Sequence, residues 1–138
     1  MTARVLLDTG PLVAFLNARD QHHAWAVAEL GKAAPPLATC EAVLSEACFL
    51  LRKVPGGPEK VLALLERGLL VLPFRLDAEA ARVTELMARY ADVPMSLADA
   101  CLVRMLELDL GTEVMTLDGD FRVYRKNRRQ VVRVRMPG

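Results

Sequence analysis

Short apolar runs alternate with helical segments along the whole chain, and this rhythm constrains the fold more than any other feature. Val5-Leu6-Leu7 is a β-rich run that stops at Asp8-Thr9-Gly10-Pro11, a buried strand followed by a turn. Leu12, Val13, Phe15 and Leu16 then have helical spacing, with Pro11 suited to a first helical turn. A second helix is predicted over 22–34, where Pro35-Pro36 stops it. Leu37-Ala38 reads as a very short strand, and Thr39 as the N-cap of a helix from about Cys40 to Lys53. After the breaker Pro55-Gly56-Gly57-Pro58, a short helix runs from Glu59 to Arg67, and Leu69–Leu72 is an apolar strand before Pro73. Asp77 caps a long amphipathic helix to about Tyr90, and Ser96 opens another to about Leu108. Val114–Leu117 is a strand ending at Asp118-Gly119-Asp120, and Val131–Val134 a last strand at an edge. The pattern predicts an α/β fold: one parallel sheet covered on both faces by helices, in a single domain without internal repeats.

A length of 138 residues fits one domain. Such a chain buries roughly two thirds of its unfolded surface, enough for a core without staples. The composition, 53% hydrophobic and 25% charged, excludes a disordered protein. Charged residues interrupt every long apolar stretch, so no membrane span is predicted. A carboxylate at Asp8 is incompatible with a secretory leader. The cysteines, Cys40, Cys48 and Cys101, have no C-x-x-C spacing, which argues against a disulfide framework and a zinc site. The expected compartment is the cytoplasm.

Charge is distributed unevenly. Residues 1–120 carry 11 basic and all 17 acidic side chains, whereas 121–138 carry seven basic ones and no acid. Arg122, Arg125, Lys126, Arg128 and Arg129 form the denser part of that basic end. An acidic body with a basic end suits a polyanionic partner, although a solvated cationic turn has the same composition.

Four carboxylates stand where carboxylates are uncommon. Asp8 and Asp118 follow strands, at the sheet end where open α/β folds place ligands. Either one also suits a turn or a helix cap. Glu46 has Val43, Phe49 and Leu50 as its helical neighbours, so it is predicted to project from an apolar stripe toward the interior. Asp99 shares a face with Leu102, Val103 and Leu106, and also fits a first-turn S-x-x-D cap with Ser96. Four such acids without a matching cation repel one another unless a counter-ion joins them. A hard divalent cation, Mg²⁺ or Mn²⁺, takes oxygen ligands of this kind.

The stretch from Val5 through Asp8-Thr9-Gly10-Pro11 to Ala14 resembles the opening motif of PIN-domain ribonucleases, especially the VapC-type toxins. Leu44-Ser45-Glu46 resembles their helical Glu motif, and Leu97-Ala98-Asp99-Ala100 their central Asp motif. Thr116-Leu117-Asp118-Gly119-Asp120-Phe121 resembles their closing motif. The order and spacing of the four match over essentially the whole chain. The resemblance implies a PIN-like fold with a central parallel sheet of four or five strands. It implies Mg²⁺- or Mn²⁺-dependent cleavage of RNA to a 5′-phosphate and a 3′-hydroxyl. Asp8, Glu46, Asp99 and Asp118 match the metal-binding acids, Asp120 a more variable one, and Thr9 and Thr116 stand near the site. The VapC branch further implies a toxin–antitoxin system, with a cognate antitoxin that blocks the site, and a homodimer. The basic segment, which lies outside the motifs, is expected to contact the RNA backbone.

Other readings fit less well. A haloacid-dehalogenase-like phosphatase needs an acid two residues after Asp8, where Gly10 stands, and a receiver domain needs a Lys where Asp118-Gly119-Asp120 stands. A non-catalytic PIN-like module that binds RNA or protein is the main alternative. Its site would be expected to have lost a carboxylate, and none is missing. Leu62, Leu64, Leu65, Leu69 and Leu70 crowd one region, as core or as a partner surface.

Overall fold

The computed structural model describes residues 4–109 and 111–138. Strand β1 (Val5–Leu7) leads into α1 (Thr9–Leu16) and α2 (His23–Lys32), then β2 (Leu37–Ala38). Helices α3 (Glu41–Leu50) and α4 (Gly57–Glu66) precede β3 (Leu70–Val71). The long α5 (Leu76–Arg89) and α6 (Leu97–Leu108) return the chain to β4 (Glu113–Met115). A 3₁₀ helix (Gly119–Arg122), β5 (Arg125–Lys126), β6 (Gln130–Val131) and β7 (Val134–Arg135) complete the order.

Five strands form one parallel sheet in the order β3-β2-β1-β4-β7, as the alternating pattern predicts. Successive strand residues point to opposite faces, and in β1 both faces are covered. Leu7 lines one cavity with Leu12, Leu37 and Leu64, while Leu6 lines a different one with Ala38 and Met105. Leu6 and Leu7 are both buried, which explains why the strand is apolar throughout rather than alternating. Each such Leu contributes about 1.5–3 kcal/mol relative to exposure.

Several local expectations are revised. The helix predicted over 40–53 occupies Glu41–Leu50, with Cys40 rather than Thr39 at its N-cap. Thr39 instead donates its hydroxyl to the Leu7 carbonyl at 2.7 Å, stitching β2 to β1. Helix α5 begins at Leu76, so Asp77 lies in its first turn, where it pairs with Arg75. The single edge strand expected at 131–134 is two strands. β6 pairs antiparallel with β5 in a separate hairpin, and β7 pairs with β4 at the sheet edge. Asn127 and Arg128, both at positive φ, turn that hairpin. Of the crowded leucines, Leu70 is buried, Leu64 and Leu65 are half-buried, and Leu62 and Leu69 are exposed. Among the described residues, no helix is long and apolar enough to cross a membrane.

Candidate functional site

An open parallel sheet offers its crevice at the carboxyl ends of the strands, where the winding reverses. Here the chain runs outward from β1 to β2 and β3, then comes back to lay β4 on the other flank of β1. Asp8 leaves β1 at that point, and Asp118 follows β4 beside it. Asp99 enters from the first turn of α6, Glu46 from the middle of α3, and Asp120 from the 3₁₀ helix. All five carboxylates line one open cleft of about 600 Å³.

Each acid is held by its own hydrogen bonds. Asp8 is buried and caps α1: its Oδ1 accepts the Thr9 N–H at 2.8 Å. Its Oδ2 accepts the Thr116 hydroxyl at 2.7 Å, and Thr116 Oγ1 in turn accepts the Asp118 N–H at 2.9 Å. Asp118 Oδ1 accepts the Asp120 N–H at 2.9 Å, starting the 3₁₀ helix. Ser96 Oγ accepts the Asp99 N–H at 3.0 Å, the cap predicted from S-x-x-D. Asp99 Oδ2 accepts the Tyr124 hydroxyl at 2.9 Å. Close packing holds the loops as well. A Cβ on Gly10 would lie 3.1 Å from the Leu117 Cβ, so α1 approaches the β4 exit loop to a distance that suits glycine.

Glu46 is in the cleft but not in the interior. The core stripe of α3 is Val43, Leu44 and Ala47, continued by Leu51. The opposite side carries Glu46, Phe49 and Leu50 to the surface, with Phe49 61% and Leu50 54% exposed. Apolar neighbours alone suggested burial, but of those neighbours only Val43 is buried, and Phe49 and Leu50 are exposed. Thr9 Oγ1 reaches Glu46 Oε2 at 2.8 Å and joins it to the residue beside Asp8.

The electrostatics are those of an uncompensated acidic site. Burial pushes the Asp8 carboxyl up to about 6, against the Thr116 and Thr9 hydrogen bonds, with Asp99 and Asp118 adding repulsion. Burial also raises Asp99, opposed by the Tyr124 hydroxyl and worsened by the charge of Asp118. Burial and the bond to Asp99 push the Tyr124 phenol up, so it stays a donor. Among the described residues that line the cleft there is no Lys or Arg.

A family model of the PIN domain matches residues 5–127. The chain belongs to the PIN domain family. Its fold is similar to that of VapC20 of Mycobacterium tuberculosis, a toxin that cleaves the sarcin–ricin loop. The TM-score is 0.71 and the identity 23%, over 86% of this chain and 93% of VapC20. No curated protein matches the chain in sequence.

The donor set of this PIN domain is chemically suited to a hard divalent cation, since every charged group in the cleft is a carboxylate. Among the described residues, no three acid, His or Cys side chains close on a single point. The carboxylates stand apart, with those of Asp8, Glu46, Asp118 and Asp99 each accepting hydrogen bonds of its own. Mg²⁺ keeps several waters and takes only one or two carboxylates directly, so an open, spaced acidic cleft fits it.

The basic segment divides in two. Arg122, Arg128 and Arg129 are exposed. Arg125 turns its guanidinium back onto the carbonyls of Arg122, Val123 and Tyr124, at 2.8, 3.0 and 2.9 Å. Lys126 is buried, which is at odds with a surface contact to a polyanion. The apparent run of cations is interrupted because β5 has one residue facing in. Sequence reasoning also missed Tyr124 as a partner of Asp99. It lies outside the acidic motifs, and nothing in its local sequence marks a contact with a residue 25 positions away.

Proposed function

We propose that this PIN domain is a metal-dependent endoribonuclease, the toxin of a toxin–antitoxin pair. The observation that carries the reading is the convergence of Asp8, Glu46, Asp99, Asp118 and Asp120 from separate segments into one cleft without a cation. Asp8, Asp99 and Asp118 would hold the metal, one or two of them directly and the rest through its waters, and Asp120 stands as an outer acid. A bound Mg²⁺ or Mn²⁺ would neutralise charge on the scissile phosphate and bring a water toward neutral pKa.

The chain's own residues do the rest. Thr116 and Thr9 orient Asp8 and Glu46. Glu46, exposed at the rim, orients the attacking water and accepts its proton. The oxygen of that water forms the new bond to phosphorus and the P–O3′ bond breaks, and the departing O3′ takes a proton from solvent in the open cleft, leaving a 5′-phosphate and a 3′-hydroxyl. Arg122, Arg128 and Arg129 hold the RNA backbone by charge, without reading bases. The similarity of fold to a toxin that cleaves RNA favours this substrate. The exposed Phe49 and Leu50, beside the cleft, suit a protein partner such as an antitoxin or a second copy of the chain, and the proposed compartment is the cytoplasm.

The test uses purified chain, Mn²⁺ and a mixed RNA substrate. Wild type cuts only with metal, and Asp99→Asn folds but does not cut. Metal-independent cleavage, or an Asp99→Asn protein as active as wild type, removes the reading. Failure to bind Mn²⁺ at all would favour the non-catalytic module.

A further inference from the structure

The closing acidic segment does more than supply Asp118 and Asp120. Two residues past its 3₁₀ helix, Tyr124 turns back into the core, and its ring is fully buried. Tyr90 and Phe121 pack against it edge-on, with centroids 5.1 and 5.2 Å away. Its backbone N–H donates to the Asp120 carbonyl at 3.1 Å, and the Tyr90 hydroxyl makes no bond to Tyr124, accepting the Arg125 N–H at 2.9 Å instead. The ring therefore has little freedom, and its hydroxyl reaches Asp99 Oδ2 at 2.9 Å. The other hydrogen-bonding influence on the Asp99 carboxylate, Ser96, is local to the start of α6, so Tyr124 is its donor from a distant segment.

We propose that Tyr124 is a positioning residue: its hydroxyl holds the Asp99 carboxylate in the orientation from which Asp99 takes a divalent cation. The inference rests on reading the cleft as a metal site. Asp99 stands in the first turn of α6, where Ser96 accepts its backbone N–H at 3.0 Å and favours its carboxylate locally, while Tyr124 is the stronger hydrogen-bonding influence on that carboxylate and comes from a different segment. Side-chain torsions leave a carboxylate free to swing unless a fixed donor stops it, and Tyr124 is such a donor. Groups that orient metal ligands typically matter by about 10–100-fold in affinity. One stretch of seven residues, Asp118 to Tyr124, thus contributes two acids to the cleft and the strut for a third.

The test is Mn²⁺ titration by calorimetry on the purified full chain, without nucleic acid, for wild type, Tyr124→Phe and Tyr90→Phe. Tyr124→Phe keeps the ring and deletes only the donor to Asp99. Tyr90→Phe deletes a neighbouring buried hydroxyl that touches the backbone instead, and so reports general loosening. The expected result is a Kd for Tyr124→Phe weaker by about ten-fold or more, with Tyr90→Phe close to wild type. Melting in chelator should leave both variants within a few degrees of wild type. Equal Mn²⁺ affinity in Tyr124→Phe and wild type overturns the inference while leaving the metal site standing. Equal losses in both variants also overturn it, because the effect is then one of packing. A wild type that binds no Mn²⁺ fails at the earlier step and removes both readings.

Discussion

Thr116 and Asp8 are 108 residues apart in sequence, yet the hydroxyl of one donates to the carboxylate of the other at 2.7 Å. The same hydroxyl oxygen accepts the Asp118 N–H at 2.9 Å, so one buried side chain couples the exits of two adjacent strands. Thr116→Val keeps the shape and removes both bonds. Leaving Asp8 Oδ2 and the Asp118 N–H unsatisfied should cost about 1–3 kcal/mol in urea unfolding, and Thr116→Ser should recover most of it. A Val variant as stable as wild type would show that the bridge is dispensable.

The pH dependence of the metal-free protein has a definite sign. Asp8 titrates near 6 when folded and at 3.8 as its ordinary value. Between those values the folded state holds more protons than the unfolded one, so stability falls as pH rises through this window, by on the order of 2–3 kcal/mol. Asp8→Asn should flatten that slope and melt above wild type at pH 7.5 in chelator. Excess Mn²⁺ should raise the wild-type Tm but not that of the variant. Thermal scans across pH, with and without Mn²⁺, check both arms.

Glu107 predicts an opposite slope at lower pH. Its side chain is fully buried and accepts Arg82 at 3.0 and 2.7 Å, Arg104 at 3.2 Å and the Asn127 N–H. Burial pushes its carboxyl up, but Arg82, the Asn127 N–H and Arg104 together hold it below 4.5. Its stabilisation is therefore complete above 4.5 and lost as pH falls through the folded value. Glu107→Gln should destabilise by about 1.5–3 kcal/mol, since it removes a buried charged acceptor while Arg82 keeps Glu85 and Arg104 keeps Glu79, and should remove this acid limb. Urea titrations from pH 3 to pH 7 measure both effects.

The hairpin arginines should act through charge alone. In an Asp99→Asn background, Arg128→Ala with Arg129→Ala should weaken RNA binding uniformly across sequences. Each lost phosphate contact should lower the salt slope by about 0.7 for a single strand. Lys126→Ala should leave that slope unchanged and lower the Tm, because Lys126 is buried. Filter binding at several salt concentrations separates the two outcomes.

The parallel sheet, the two strand-end acids and the Ser96 cap were legible because their signals are local: an apolar run, a turn residue, a side chain three positions from its partner. Glu46 lines the same cleft as the other acids, but from an exposed face rather than from the interior. Its helical neighbours are apolar, but apolarity does not decide which side of a helix meets the core when that helix also keeps Phe49 and Leu50 at the surface. Glu107 has no local signal of burial, since a charged residue on a helix suits solvent, yet it is buried among arginines from two helices. The C-terminal region was the least legible. Its strands are two residues long, too short for any period to register, and the hairpin turns on Asn127 and Arg128 rather than on a glycine. Tyr124 belongs to the same class, since its role depends on a tertiary contact with no sequence signature.

The reversal of winding between β1 and β4 has a temporal consequence. Asp8 leaves β1, but the strand that walls the other side of its crevice comes only at Glu113–Met115, after two more strands and six helices have intervened in the chain order β1 to β4. A polypeptide emerging from the ribosome therefore carries half a cleft until β4 follows, and the acidic crevice closes only with that late, long-range strand pairing.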